Sequence, residues 1–466
     1  MNKLLTFIAM NTLLWDKILS FNLDEPPGEY GFSTRLANEN YWTQQFTQAA
    51  ILEYKKFMYL AAVSDFMVSP SGIIDVVWHQ HLIFTQSYQD LCAILGRQVQ
   101  HVPSTHNRED VERFRQAKER TQKLYEETFG PQPASTWGYA DMYDSLNLPK
   151  AKIKIRTFIL LGILGFAVAV VPFYFLLKPV YIHIDNPDFM TGLVLLGALI
   201  FVFLEFYNRH QLTRLLKEAG KDSFIFQLTA LELVYLKTQQ FPSVIHVVVN
   251  ELVANGAIGI NPDYSMYMSG AGKANTVQHL QVMNVLNGYK KTFYPALMTA
   301  LIRKPVFANI PNAMNALKKY IIKSAGFSRL FYFNFSLLAL LLMLGLVRLF
   351  TGLMREKPVI LIAILLAVLL VIIFYYLNRL TKLFCTHTIP DLYKSDPALH
   401  TEEADEGRWN YFMSGPSVFV GSFIPLTIYV DRKYSGDSSM GSSCGSSCGS
   451  SCGSSCSSCG GCGGGD

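Results

Sequence analysis

The chain has 466 residues, half of them hydrophobic and only 16% charged, against roughly 25% charged in an ordinary soluble domain. That balance excludes a mainly disordered chain, which needs low hydrophobicity and high net charge, and the length exceeds what one compact soluble domain usually holds. A formal net charge of +5 is too small for a dedicated nucleic-acid binder. What remains is a multi-part, mainly α-helical integral membrane protein.

The segment 1–148 reads as a soluble helical domain. Leu4, Leu5, Ile8, Leu14, Trp15, Ile18 and Leu19 recur at roughly helical spacing. This predicts an amphipathic helix packed on the first domain rather than a cleaved signal, because Asn11 and Asp16 interrupt the apolar run and no small-x-small cleavage site follows. A second helix is predicted over 49–62. Ser71 is the expected N-cap of a helix running from there to Gly96, and a charged helix covers about 109–128 before Gly130-Pro131.

The chemistry of this domain lies in D-V-V-W-H-Q-H-L at 75–82 and H-V-P-S-T-H at 101–106. His79 and His81 are about 200° apart on a helix, so they cannot chelate one ion as an i, i+4 pair would. Asp75 and His79 share a face, as do His81, Thr85, Tyr88 and Cys92. Two readings stay open. One helix face with His101 and His106 can assemble a His/Cys site for a divalent metal. Alternatively the histidines are buried and hydrogen-bonded, with His79 held by Asp75. Nothing in the sequence activates Cys92 as a nucleophile.

The blocks F-S-T-R-L-A-N-E-N-Y-W (32–42), E-Y-K-K-F (53–57), S-P-S (69–71), W-H-x-H-L (78–82), Tyr88, Cys92, Gly96 and H-V-P (101–103) occur in this order. Over about 10–145 the chain thereby resembles the glycine-rich domain-containing protein family. The resemblance implies a domain type and no particular reaction.

Four stretches are long and apolar enough to cross a bilayer, which takes about 20 helical residues. They are 157–177, without a charge; 189–207, apolar but for Glu205; 330–347, with Asn334 its one strongly polar residue; and 359–377. They form transmembrane hairpins at 149–207 and 328–380. Lys150, Lys152, Lys154 and Arg156 precede the first span, Arg209, Arg214 and Lys217 follow the second, Lys318, Lys319, Lys323 and Arg329 precede the third, and Arg379 and Lys382 follow the fourth. The positive-inside rule then puts both soluble domains and the tail in the cytoplasm of a bacterial inner membrane.

Between the hairpins, 208–327 is a basic domain. Its residues 208–326 carry thirteen Lys or Arg against five Asp or Glu. A helix over 228–240, a second after Pro242 ending at Asn255-Gly256, and a short strand at 258–260 predict a winged-helix-like cytoplasmic unit, followed by helices over 276–286, 291–301 and 310–322. The charge fits an anionic bilayer surface. The second helix, S-V-I-H-V-V-V-N-E-L-V, is too apolar to read base edges, so no nucleic acid is expected. The pattern L-T-A-L-E-L-V-Y-L, a second helix, then L-V-A-N-G-A-I, set between hairpins and closed by a Gly/Cys-rich tail, is similar to an uncharacterised bacterial membrane-protein family over about 150–466.

In the juxtamembrane segment 381–440, T-E-E-A-D-E (401–406) is acidic, and S-V-F-V-G-S-F-I-P-L-T-I-Y-V (417–430) predicts a strand pair or a surface-lying segment. From 441 the composition is that of a disordered Ser/Gly/Cys low-complexity tail. Cys444, Cys448, Cys452 and Cys456 recur every four residues, with Cys459 and Cys462 beyond. Such thiolates suit a soft ion such as Zn or Cu; chemical modification and no specific ligand are the other readings.

The chain lacks G-x-S-x-G, P-loop, G-x-G-x-x-G and H-E-x-x-H motifs, and its spans hold few ionisable groups, against a transporter. Three functions follow as expectations. The first is a non-enzymatic membrane scaffold whose cytoplasmic modules hold a protein partner. The second is metal handling through the tail and the His-rich helix, with candidate ligands His79, His81, His101, His106, Cys444, Cys448, Cys452 and Cys456. The third is a metal-dependent enzyme at the W-H-x-H site.

Overall fold

The computed structural model describes residues 11–26, 28–102, 108–270, 272–400 and 406–437. His106, the 401–405 acidic stretch, the first ten residues and the cysteine tail lie outside them. The chain forms two compact units, Met1–Val244 with Arg303–Gly415, and Ile245–Ile302 with the segment from Pro416. The stretch 208–327 is thus divided between the two.

In the first unit, α1 (Thr12–Ser20) is capped by the Asn11 side chain and buries Ile18. Its Trp15 ring meets Tyr59 and Phe129. The helices α2 (Phe32–Asn40), α3 (Gln44–Val63), α4 (Gly72–Ile83), α5 (Thr85–Leu95), α6 (Arg108–Phe129) and α7 (Ala134–Trp137) complete the N-terminal bundle. The single helix expected from Ser71 to Gly96 is two helices, broken at Phe84 (φ −88°, ψ 64°). The break turns the Phe84 ring edge-on to Phe32, so side-chain packing overrides helix continuity. Inside the bundle the Glu53 carboxylate is buried, yet its oxygens meet Lys56 Nζ at 2.7 Å, the Tyr125 hydroxyl at 2.7 Å and Trp137 Nε1 at 2.8 Å. Three donors answer the cost of removing that charge from water.

Four helices are long and apolar enough to cross a membrane: α8 (Ile155–Tyr181), α9 (Asn186–Lys217), α15 (Ala325–Leu353) and α16 (Ile360–Leu383), the last continuing through a π-turn into α17 (Ile389–Ser395). Helix α15 packs against the other three. The side chains of Asn208 on α9 and Asn334 on α15 are buried and exchange two amide hydrogen bonds, 2.9 and 2.7 Å, and Asn208 also donates to the Tyr376 hydroxyl of α16 at 3.0 Å. At the far end of α15 the Arg348 guanidinium donates to the carbonyls of Tyr181 and Ile184 and to the Asn186 side chain. It thereby closes the α8–α9 turn. Glu205 pairs with Arg209 on its own helix and with Arg379 on α16, a structural role for the one acid of the second span.

The N-terminal bundle is joined to the spans by α10 (Ala230–Thr238) and α14 (Pro305–Ile322). Asn309 on α14 donates to the Trp42 carbonyl at 3.1 Å, and the Tyr143 hydroxyl donates to the Ala313 carbonyl at 3.2 Å. Glu232, fully buried, completes a capping box with Thr229 and accepts from the Gln44 amide at 3.2 Å. Burial pushes its carboxyl above the usual range. Helix α18 (Glu406–Ser414) packs on α10.

The second unit takes most of α11 (Phe241–Ala254), then a three-stranded antiparallel sheet in the order β1 (Ile258–Ile260), β2 (Ser265–Met268), β3 (Lys291–Phe293), with α12 (Val277–Tyr289) between β2 and β3. Gly259 pairs Tyr267, and Met266 pairs Thr292. Helices α13 (Tyr294–Leu301) and α19 (Ile424–Asp437) close it. The strand pair expected over 417–430 is instead a short 3-10 turn followed by α19. Pro425 sits in the first turn of α19, where its missing N–H costs nothing. Buried His246 lies 2.6 Å from the Tyr294 hydroxyl and 3.1 Å from Asp431, and His279 lies 2.7 Å from Glu251. Two histidine–carboxylate contacts thus fasten this unit internally.

The buried amide pair yields a direct test. Asn334→Leu removes the donor to Asn208 Oδ1 and leaves Asn208 Nδ2 only the Tyr376 hydroxyl, and is expected to cost about 1–2 kcal/mol. In thermal unfolding of the purified protein in detergent, Asn208→Leu added to Asn334→Leu is expected to cost less than the sum of the two single changes. Strict additivity would mean the amides do not interact.

Candidate metal centre

The Ser71 hydroxyl starts α4 by accepting from the Ile74 amide at 3.2 Å, and it donates to the Thr136 carbonyl at 2.6 Å. That fixes the helix on which Asp75 and His79 stand one turn apart. Gly96, at φ +71°, is the left-handed C-cap of α5 and reverses the chain. The returning segment is held by the Tyr88 hydroxyl, which donates to the Val99 carbonyl and accepts from Trp78 Nε1 at 3.1 Å. Arg97 donates to the Ser64 carbonyl at 3.0 Å. His101 then lands beside α4, its ring 4.8 Å from that of Trp78 and 4.4 Å from that of His79.

The result is a convergence of three donor groups. His101 Nε2 lies 3.1 Å from Asp75 Oδ1, and His79 Nε2 lies 3.5 Å from Asp75 Oδ2. One ligand atom from each of Asp75, His79 and His101 falls within 4.8 Å of the others. His101 is mostly covered, while the His79 and Asp75 side chains are open to solvent. Ligands at ~2.1 Å in a tetrahedral zinc site are about 3.4 Å apart, so a modest rotation of the exposed His79 closes the set. Two imidazoles and one carboxylate match the donor preference of Zn and neighbouring divalent ions, and leave a fourth position for water.

Of the sequence-derived ligands, the structure brings His79 and His101 together. His81 lies elsewhere. It is fully buried on the opposite side of α4, with Nδ1 2.8 Å from the Tyr54 hydroxyl and Nε2 3.0 Å from the Ser87 hydroxyl, ringed by Phe21, Phe32 and Tyr88. Both ring nitrogens of His81 are thus engaged inside the bundle, away from Asp75. Cys92 is buried on α5. His106, Cys444, Cys448, Cys452 and Cys456 lie outside the described residues. Asp75 was not among the expected ligands, although its i, i+4 spacing to His79 is visible in the sequence.

Burial pushes His81 down to about 4, a hydrogen bond with the Ser87 backbone opposing. A histidine depressed in the fold contributes stability above its unfolded value, ~6.5, and loses it as pH falls toward 4. The contribution is about 3 kcal/mol at most. Unfolding of the full-length protein between pH 7.5 and 4 is expected to show that loss, and His81→Gln is expected to flatten the curve. An unchanged pH slope in His81→Gln would remove His81 as the cause.

No protein-family model, curated protein or solved structure matches the chain.

Proposed function

We propose that this chain is a multi-pass protein of the bacterial inner membrane that binds a divalent transition-metal ion, Zn foremost, on its N-terminal helical domain. Asp75, His79 and His101 are the ligands. The observation that carries the proposal is the convergence of two imidazole nitrogens and one carboxylate oxygen from two separate chain segments within 4.8 Å. His81, by contrast, is buried and meets Tyr54 and Ser87 instead. Here both Nε2 atoms face the same carboxylate at a solvent-open position.

Several further readings belong to the same proposal. The soluble parts and the tail face the cytoplasm, following the basic flanks of the spans. The N-terminal domain is a glycine-rich-domain-protein-like module, and the W-H-x-H block contributes His79 to the site. The middle stretch 208–327 is winged-helix-like, a reading supported by α11 followed by the β1–β2 hairpin. The tail cysteines are a second, separate candidate for a soft ion, on the chemistry of their thiolates alone. A non-enzymatic scaffold that holds a protein partner is the second reading, favoured by the stitching of the N-terminal bundle onto α14.

Elemental analysis and zinc titration of the purified protein, with and without residues 441–466, separate these readings. The protein lacking the tail is expected to bind one equivalent of Zn. His101→Ala and Asp75→Asn are each expected to weaken binding by at least about 10-fold, while Ser87→Ala leaves it unchanged. No stoichiometric metal in either form would eliminate the metal reading and leave the scaffold.

A further inference from the structure

The surface formed by α8, α15 and α16 contains a groove of about 940 Å³. Ile159 and Phe166 of α8, Phe335 and Ala339 of α15, and Asn378 and Thr381 of α16 mark its walls. Its lining is the first half of α8, the first half of α15 and the second half of α16. These three halves lie at one end of the spans, the end at which the chain enters α8 and α15 and leaves α16. On α15 the lining runs from Phe331 to Leu342, about 16 Å of helix, or roughly half of a ~30 Å hydrocarbon core. The groove is therefore one leaflet deep. Asn378 and Thr381 of its lining sit toward the end of α16 where the leaflet meets water.

That same end is basic. Lys152, Lys154 and Arg156 at the start of α8 and Lys382 at the close of α16 are exposed and pair with no carboxylate among the described residues. The sequence from 149 to 184 contains no Asp or Glu, nor does 376–388. The approach to α8 is held in place: Ala151 donates to the Lys323 carbonyl at 2.9 Å, and the Tyr332 hydroxyl donates to the Ile153 carbonyl. Lys318, on the neighbouring helix α14, is pushed below its usual range by burial, and Lys382 adds to the push. Like charges are therefore gathered around the groove's mouth, and an anion there would relieve them.

We propose that this groove is a binding site for an anionic phospholipid of the same leaflet. One acyl chain lies along α15 between α8 and α16, and the phosphate sits among Lys152, Lys154, Arg156 and Lys382. The inference rests on α8, α15 and α16 being membrane spans. A second copy of the chain is a poorer occupant, because a two-fold contact through this face would set two basic rims against each other and a half-depth groove does not fit a spanning helix.

The test uses the full-length protein in detergent, incubated with equal amounts of phosphatidylglycerol and phosphatidylcholine and read by native mass spectrometry. The wild type is expected to retain phosphatidylglycerol about 10-fold over phosphatidylcholine. Ala339→Phe, which fills the groove, is expected to lose bound lipid. The four-fold change Lys152→Gln, Lys154→Gln, Arg156→Gln and Lys382→Gln touches only exposed side chains and is expected to keep lipid while losing the preference. Equal phosphatidylglycerol retention in the wild type and the four-fold variant, or a lipid-free dimer, would overturn the proposal even if Ala339→Phe does not fold. Extraction of the wild type from membranes by alkaline carbonate would instead sink the spanning reading itself. Retention in the pellet with unchanged lipid selectivity sinks only the groove.

Discussion

The reciprocal amide pair between Asn208 and Asn334 is the constraint on which the apolar part of the structure turns. Leucine-rich helices pack on lipid tails about as well as on one another, so hydrophobicity alone does not choose their neighbours. An amide buried in hydrocarbon without a partner is costly, and each of these two satisfies the other. The Tyr376 hydroxyl brings α16 into the same knot. Arg348 does comparable work at the opposite end of α15 by answering the free carbonyls of the α8–α9 turn. Together these contacts set which helices α15 meets, a choice that its own Leu- and Phe-rich sequence does not specify.

From α15 the order passes to the N-terminal bundle. Ser324 caps α15 by accepting from the Phe327 amide at 3.2 Å, and it follows directly on α14. Asn309 and Ala313 of α14 in turn hold Trp42 and Tyr143 of the N-terminal bundle. Within that bundle α3 packs on α4, the helix of Asp75 and His79. The Asp75–His79–His101 cluster therefore stands on helices continuous in packing with the apolar ones. Its open side is made by His79 and Asp75, and its covered side by His101 against Trp78.

The sequence made the four long apolar helices legible because each is a continuous run whose length alone excludes a short core helix. Ser71 as a cap and Gly96 as a stop were also readable, since both act through local backbone chemistry. What it could not reveal was pairing across long separations. Asn334 stands out in its span as a polar residue, but its partner lies 126 residues away. His101 is a loop residue in the sequence; only the Gly96 reversal and the Tyr88–Val99 bond place it beside Asp75. The grouping of His81 with Thr85, Tyr88 and Cys92 assumed one unbroken helix; Phe84 breaks it and packs on Phe32, yet His81 still meets the Tyr88 ring. The segment 417–430 reads as a strand pair or a surface-lying segment, yet Pro425 suits the first turn of α19 and a helix forms there.

The account stands on α8, α9, α15 and α16 crossing a bilayer with Asp75, His79 and His101 on the same side as the basic helix ends. The most direct measurement is labelling of intact cells with a membrane-impermeant maleimide, in protein whose native cysteines are changed to serine and which carries one introduced cysteine. Asp185→Cys, in the α8–α9 turn, is expected to label in intact cells. Glu119→Cys, on the exposed face of the N-terminal bundle, is expected to label only after lysis. Labelling of Glu119→Cys from outside, or equal labelling of both positions before lysis, would contradict the account.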